Sequence, residues 1–289
     1  MMMEGQKMKK VLALLCAIGI FAALLTGCGS KDAASSGVKV IPIELTQEEY
    51  AFGVDKNQPE LLEQANAYIA QIIEDGTLDA IVEKYFAGGD VEPITSAAQD
   101  SSKDQLLVAT NASFEPFEYL LGENYYGIDL EIAKGFADYL GKELVIMNMD
   151  FDAVCLSVSQ GKCDIAMAGL TVNEERKEFV DFTTAYYQAS QTIMVPESNT
   201  AFDDCKTAAD VEAILSSCDK STKIGFQLGT TGQYYTEGDE SWGFAGFPVT
   251  AVGYKSGSLA AQDMLNGNLS YVIIDKDPAN YIASAINGK

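Results

Sequence analysis

From Leu106 to the C-terminus, short apolar runs alternate with amphipathic stretches, and few folds accept that order. Leu106–Thr110, Glu143–Met147, Asp164–Leu170, Lys223–Phe226 and Leu269–Ile274 have the length and apolar density of strands. Between them Asp129–Leu140, Phe151–Ser159, Ser258–Leu265 and Pro278–Ile286 carry helical spacing, with Gly141 and Asn266-Gly267 as stops. Strands and helices in alternation argue an α/β fold with a largely parallel sheet. Ligands in open sheets of this class sit beyond the carboxyl ends of the strands. Two strand-end loops therefore stand out, Asn111–Phe117 and Gln227–Gly232.

The stretch Asp164–Arg176 carries the most chemistry. Its apolar run ends in Gly169-Leu170-Thr171 and turns at once into a polar, helix-prone segment opened by Asn173. A strand ending this way delivers backbone N–H groups, a hydroxyl and the Arg176 guanidinium to one place. Those are the parts of a carboxylate trap, because helix starts carry unpaired donors and arginine grips a carboxylate in a fork. Read by itself, the segment is more simply a buried strand followed by a surface helix whose Arg176 pairs with Glu174 or Glu175.

The N-terminus reads as an export signal. Lys7, Lys9 and Lys10 precede an apolar run, Val11–Leu25, that is short for a membrane span and suited to a signal peptide. Leu25-Thr26-Gly27-Cys28 is similar to a bacterial lipobox, which implies cleavage after residue 27, lipidation of Cys28 and a tether over residues 28–37. An uncleaved anchor helix or a plain secretory signal is the competing reading. Lys+Arg number 19 against 42 Asp+Glu, a net charge of −23 that disfavours nucleic acid and anionic headgroups. The count of histidines is zero, which removes Ser-His and Cys-His catalysis and His-ligated metals. Export permits disulfides among Cys155, Cys163, Cys205 and Cys218, and Cys205 with Cys218 is the plausible pair.

Several motifs read together point further: A-T-N-A-S-F-E-P-F-E-Y from Ala109, G-I-D-L-E-I-A-K from Gly127, G-K-C-D-I-A-M-A-G-L-T-V-N-E-E-R from Gly161, D-F-T-T-A-Y-Y from Asp181, L-G-T-T-G from Leu228 and I-I-D-K-D-P-A from Ile273. Together they resemble the extracytoplasmic solute-binding proteins of polar amino-acid ABC transporters, family 3. The resemblance implies a two-lobe periplasmic-binding-protein-like fold of type II, with the ligand cleft between the lobes. The order departs from the family, however. Glu49–Phe86 resembles the family's closing strand and long helix, yet it stands near the start. Joining Lys289 to Val38 restores the family order, so the chain reads as circularly permuted; a fragment completed by a neighbouring chain is the alternative. Permutation costs little where old ends are close and the cut loop exposed. Lobe 1 is then expected over 46–88 and 105–192, lobe 2 over 38–45 and 193–289, and a polar linker over 89–104. The crossings are expected near Thr192–Pro196 and Leu45–Tyr50.

By the same resemblance Arg176, with Thr171 and the backbone N–H groups of Gly169 and Thr171, would hold a ligand α-carboxylate. Thr230 and Thr231 would join from lobe 2, Asp275 would take the α-ammonium, and Asn111, Phe114 and Phe151 would read the side chain. Asn111 replaces an acidic residue common in the family, which turns the expectation from cationic ligands toward an uncharged polar, glutamine-like one; small apolar ligands and cystine stay open. The implied role is a monomeric, lipid-anchored receptor outside the cell membrane that hands a free amino acid to an ABC permease, with no catalytic residues, cofactor or metal. Two rivals are a dehydratase-type enzyme on small carboxylates and an extracellular sensor. The first needs a cleft acid besides Asp275, and none is evident in the sequence; the second needs a signalling domain.

Overall fold

The computed structural model describes residues 37–288, so the expected signal peptide, Cys28 and most of the tether lie outside the described residues. Two five-stranded sheets organise it. The sheet of the first lobe runs, in spatial order, Val180–Phe182, Gly53–Asp55, Ile165–Ala166, Gln105–Thr110 and Glu143–Asn148. The second lobe's sheet runs Val38–Val40, Gln191–Pro196, Tyr271–Asp275, Lys223–Gln227 and Thr250–Tyr254. Helices pack on both, so the α/β class is as the alternation implies.

The sheets are mixed rather than largely parallel. Gln105–Thr110 runs parallel to both its neighbours, as does Lys223–Gln227. The remaining strands, Gly53–Asp55, Val180–Phe182, Val38–Val40 and Gln191–Pro196, pair antiparallel. These four flank the passages between lobes, and a chain arriving from the other lobe enters with opposite sense. The two passages themselves zip together as Glu48–Tyr50 against Tyr187–Ala189. The second crossing thus precedes Thr192, because Gln191–Pro196 is already a strand of the second sheet.

Local sequence explains the helices. Pro59 starts Pro59–Glu74, whose buried Leu61, Ala65, Tyr68, Ile69 and Ile72 form one apolar stripe. That stripe meets Ile128–Leu140, where Tyr68 stacks on Phe136 at 5.5 Å between centroids. Gly141, at φ 71°, ends the latter helix in a left-handed turn. Phe151–Ser159 is a 3₁₀ turn, Phe151–Ala153, leading into Val154–Ser159.

Residues 89–104 are docked rather than loose. Ile94 is buried and bridges Tyr125, the Ala97 N–H donates to Leu144, and the Ser96 hydroxyl accepts from the Ile146 N–H. They cover the open edge of Glu143–Asn148, a strand edge that would otherwise invite foreign pairing. At the other lobe the Asn287 side chain holds both backbone groups of Val38, at 3.1 and 2.8 Å.

The Cys205–Cys218 pairing is not present: all four described cysteines are free thiols. The reason is geometric. Ala208–Ser216 is a nine-residue helix between them, and its span at about 1.5 Å per residue exceeds the Cα separation of about 5.5–6 Å that a disulfide favours.

Candidate ligand-binding site

The short helix Glu174–Lys177 is capped by Asn173, whose side chain accepts the Arg176 N–H at 2.7 Å. This cap turns Arg176 inward, to 8% exposure, away from the surface pairing with Glu174 or Glu175. Glu174 pairs with Lys177 instead. One Arg176 nitrogen donates to the Thr171 carbonyl at 2.7 Å and another crosses to the Gly229 carbonyl of the second lobe at 3.0 Å. Rings cover the guanidinium, Phe151 at 5.1 Å and Trp242 at 5.6 Å from Cζ to centroid. Among the described residues Arg176 forms no ion pair. A buried cation without a counter-charge is costly, and an anionic ligand group relieves that cost.

Asp275 stands at the N-cap of Lys276–Asn287 but makes no side-chain cap. Its carboxylate turns away from the helix and accepts the Tyr50 hydroxyl at 2.5 Å. Burial, and then the negative charge of Glu48, raise this carboxyl from 3.8 to about 7 against the hydrogen bonds from Tyr50 and Gln191.

Phe114, Phe151, Gly169, Thr171, Arg176, Thr230, Thr231 and Asp275 line one small pocket at the junction of the lobes, with a cavity volume of about 10 Å³ in this closed arrangement. Gln227, which sequence reasoning missed, completes the lining. Asn111 does not line it. Its amide is committed to the Met149 carbonyl, the Ser113 hydroxyl and, across the cleft, the Gln227 side chain at 2.9 Å. The Gln227 side-chain oxygen Oε1 is buried, and no donor among the described residues reaches it.

The expected donors are also reassigned. The Gly169 N–H is given to buried Asp129 at 2.8 Å. Gly169 itself is required there, since φ is +53° and a Cβ would lie 2.8 Å from the Phe114 ring. Burial lifts Asp129 to about 7, opposed by that N–H and the Tyr186 hydroxyl. Thr230 spends its hydroxyl on the backbone carbonyl of Gln227. Thr171 and Thr231, from opposite lobes, both donate at 2.7 Å to one oxygen of Glu48. Glu48 also accepts from Thr46 and Gln191, so four donors converge on it. Beyond Asp275, therefore, the cleft holds a second buried carboxylate, contrary to the sequence reading. The polar Thr46–Tyr50 context hid it, because only the pairing with Tyr187–Ala189 carries Glu48 inward. Phe117 is fully buried against Tyr50 and Phe114, as core rather than site.

Residues 106–277 match the bacterial extracellular solute-binding proteins, family 3. The chain belongs to this family. The arginine-binding extracellular protein ArtP of Bacillus subtilis is 35% identical over 100 residues, 35% of this chain and 39% of that protein. ABC transporter arginine-binding protein 1 of Escherichia coli is 28% identical over 181 residues, 62% of this chain and 67% of the relative. The chain thus spans between about two fifths and two thirds of the length of these relatives. Among solved structures, an ancestral amino acid-binding protein, a precursor of cyclohexadienyl dehydratase, superimposes with a TM-score of 0.53 at 27% identity, covering 72% of this chain and 78% of the other. The two-lobe fold of the amino-acid-binding proteins is therefore that of this chain.

Proposed function

We propose that this protein captures a free amino acid between its two lobes and delivers it to an ABC importer. One observation carries the reading: Arg176, a buried guanidinium with no counter-ion among the described residues, and Asp275, a buried carboxylate, border the same small pocket. A zwitterion satisfies both at once, its carboxylate on Arg176 and its ammonium on Asp275. The names of the relatives agree with an amino-acid ligand.

The side chain of that ligand is uncharged and amide-bearing, glutamine being the first choice. Asp275 is the sole carboxylate in the lining and is already committed to the ammonium. At the Gln227 end the lining offers an amide whose buried oxygen calls for an N–H donor. A ligand amide supplies one without importing a charge. A thermal-shift screen of the twenty amino acids and cystine tests both levels. Glutamine is expected to stabilise most, by about 2.7 kcal/mol at a hundredfold excess over its Kd. A larger shift with arginine overturns the side-chain assignment, and no shift with any of them overturns the amino-acid reading.

Glu48 does not turn the balance toward an enzyme. Four donors hold its oxygens as acceptors, leaving no proton aimed at a ligand, whereas a general acid must present one.

The receptor is a monomer, circularly permuted and anchored through lipid on Cys28 outside the cell membrane. Permutation is supported by the Asn287–Val38 contacts, which put the two halves of the proposed cut within hydrogen-bonding distance. It is supported too by a family match that begins only at residue 106. A chain with Lys289 joined to Val38 and opened within 89–104 should fold and bind the same ligand; failure of that chain to fold would argue for exchange between two copies. Replacing Cys28→Ala should release the protein from membranes.

A further inference from the structure

Trp242 lies outside the lining of the site and is the only tryptophan of the chain. It is carried on the loop 238–247 of the second lobe, which is tightly built. The Asp239 side chain receives the Ser241 and Trp242 N–H groups, and Asp239 bridges Phe244. Gly246, at φ 69°, could accept no Cβ, which would meet the Glu237 carbonyl at 2.4 Å. From this support the indole reaches the first lobe. It covers the Arg176 guanidinium, stacks on Tyr234 at 4.7 Å, and directs its N–H to Glu175 at 3.3 Å. Phe151, on the first lobe, also covers the guanidinium.

We infer that Trp242 is a positioning residue for ligand capture: it crosses the cleft to clamp Arg176 beside Phe151, and ligand retention depends on an indole that never touches the ligand. The chemistry favours this use. A guanidinium is weakly hydrated on its faces and donates from its edge, so aromatic cover excludes water while leaving edge donors free for a carboxylate. The indole and the Gly229 carbonyl come from the same lobe, so closure applies both to Arg176 together. Opening must remove both before a ligand carboxylate can leave, which places the effect in the dissociation rate.

The inference rests on the amino-acid reading above, so the test has two arms. In the first, without ligand, emission and iodide quenching of this single indole are compared between the wild type and Arg176→Ala. The wild type should be shielded and the variant open to quencher; equal quenching overturns the clamp. In the second, glutamine is titrated by calorimetry and its dissociation followed by stopped flow for the wild type, Trp242→Phe and Trp242→Leu. Leucine keeps apolar bulk but has no aromatic face, so it should weaken binding about tenfold, mostly through faster release, while phenylalanine restores most of the loss. Unchanged affinity and release in Trp242→Leu overturn the inference. Absence of glutamine binding by the wild type, with the shielding intact, sinks the ligand reading and leaves the clamp standing.

Discussion

The Tyr50 hydroxyl donates to the Asp275 carboxylate across 225 residues of sequence, at 2.5 Å and in full burial. Tyr50 belongs to the strand that passes between the lobes, and Asp275 ends a strand of the second. The bond therefore couples the hinge to the carboxylate that is to hold an ammonium. It also keeps that carboxylate oriented while burial pushes its pKa to about 7 and burial drives the tyrosine's well above the ordinary value.

The pH dependence follows in sign. Folding favours the protonated form of Asp275, so its contribution to stability is full below its ordinary pKa of 3.8 and is lost as pH rises through about 7. Without ligand, Asp275→Asn should gain stability relative to the wild type between pH 5 and pH 8, read by denaturant midpoints. Ligand binding needs the carboxylate, so affinity should rise from pH 6 to pH 8 and binding should release protons at the lower value. A titration that is flat across this range would detach Asp275 from the ammonium.

Arg176 is expected to dominate affinity. Truncating one partner of a buried charge pair costs ~2–5 kcal/mol, about 30-fold or more in Kd. Arg176→Ala should bring binding to the edge of calorimetric detection while leaving the fold intact by circular dichroism. Retained affinity would place the carboxylate elsewhere.

Side-chain choice should move with the amide pair that spans the cleft. Asn111→Asp puts a carboxylate against Gln227, so arginine should gain and glutamine lose, by about tenfold each for a charge-assisted bond won or an amide bond lost. Competition between labelled glutamine and arginine measures the exchange. Preserved preference would mean that Asn111 lies too far behind Gln227 to be felt.

Glu48 ties Thr171 of one lobe to Thr231 of the other. Glu48→Ala removes the acceptor of two buried hydroxyls and leaves them only their long 3.4 Å contact with each other, at about 1–3 kcal/mol for a hydroxyl left unpaired. The variant should therefore melt lower and populate the open form more, seen as a larger radius of gyration in solution scattering. A compact variant with unchanged melting would reduce Glu48 to a bystander.

Much of this was readable in order along the chain. Apolar periodicity marked the strands from Leu106 onward, strand-end chemistry singled out Thr171 and Arg176 just past an apolar run, and the family resemblance added Thr231 and Asp275. Those signals are local, a matter of spacing over a few residues. The partners were not legible. Glu48 and Thr231 stand 183 residues apart, and Gln227 and Asn111 are separated by 116. Periodicity says which face of an element is buried and is silent on what lies opposite. Packing also redirected groups that the sequence reading assigned to the ligand: Asn111 turned its amide to Met149, Gly169 gave its N–H to Asp129, and Phe151 covered a guanidinium. Most enclosed polar atoms take an available partner, because leaving one unpaired costs more than the choice of partner gains. Sequence order determined which elements form and which chemistries stand at their ends; the tertiary structure alone decided which of those groups remain free to meet a ligand.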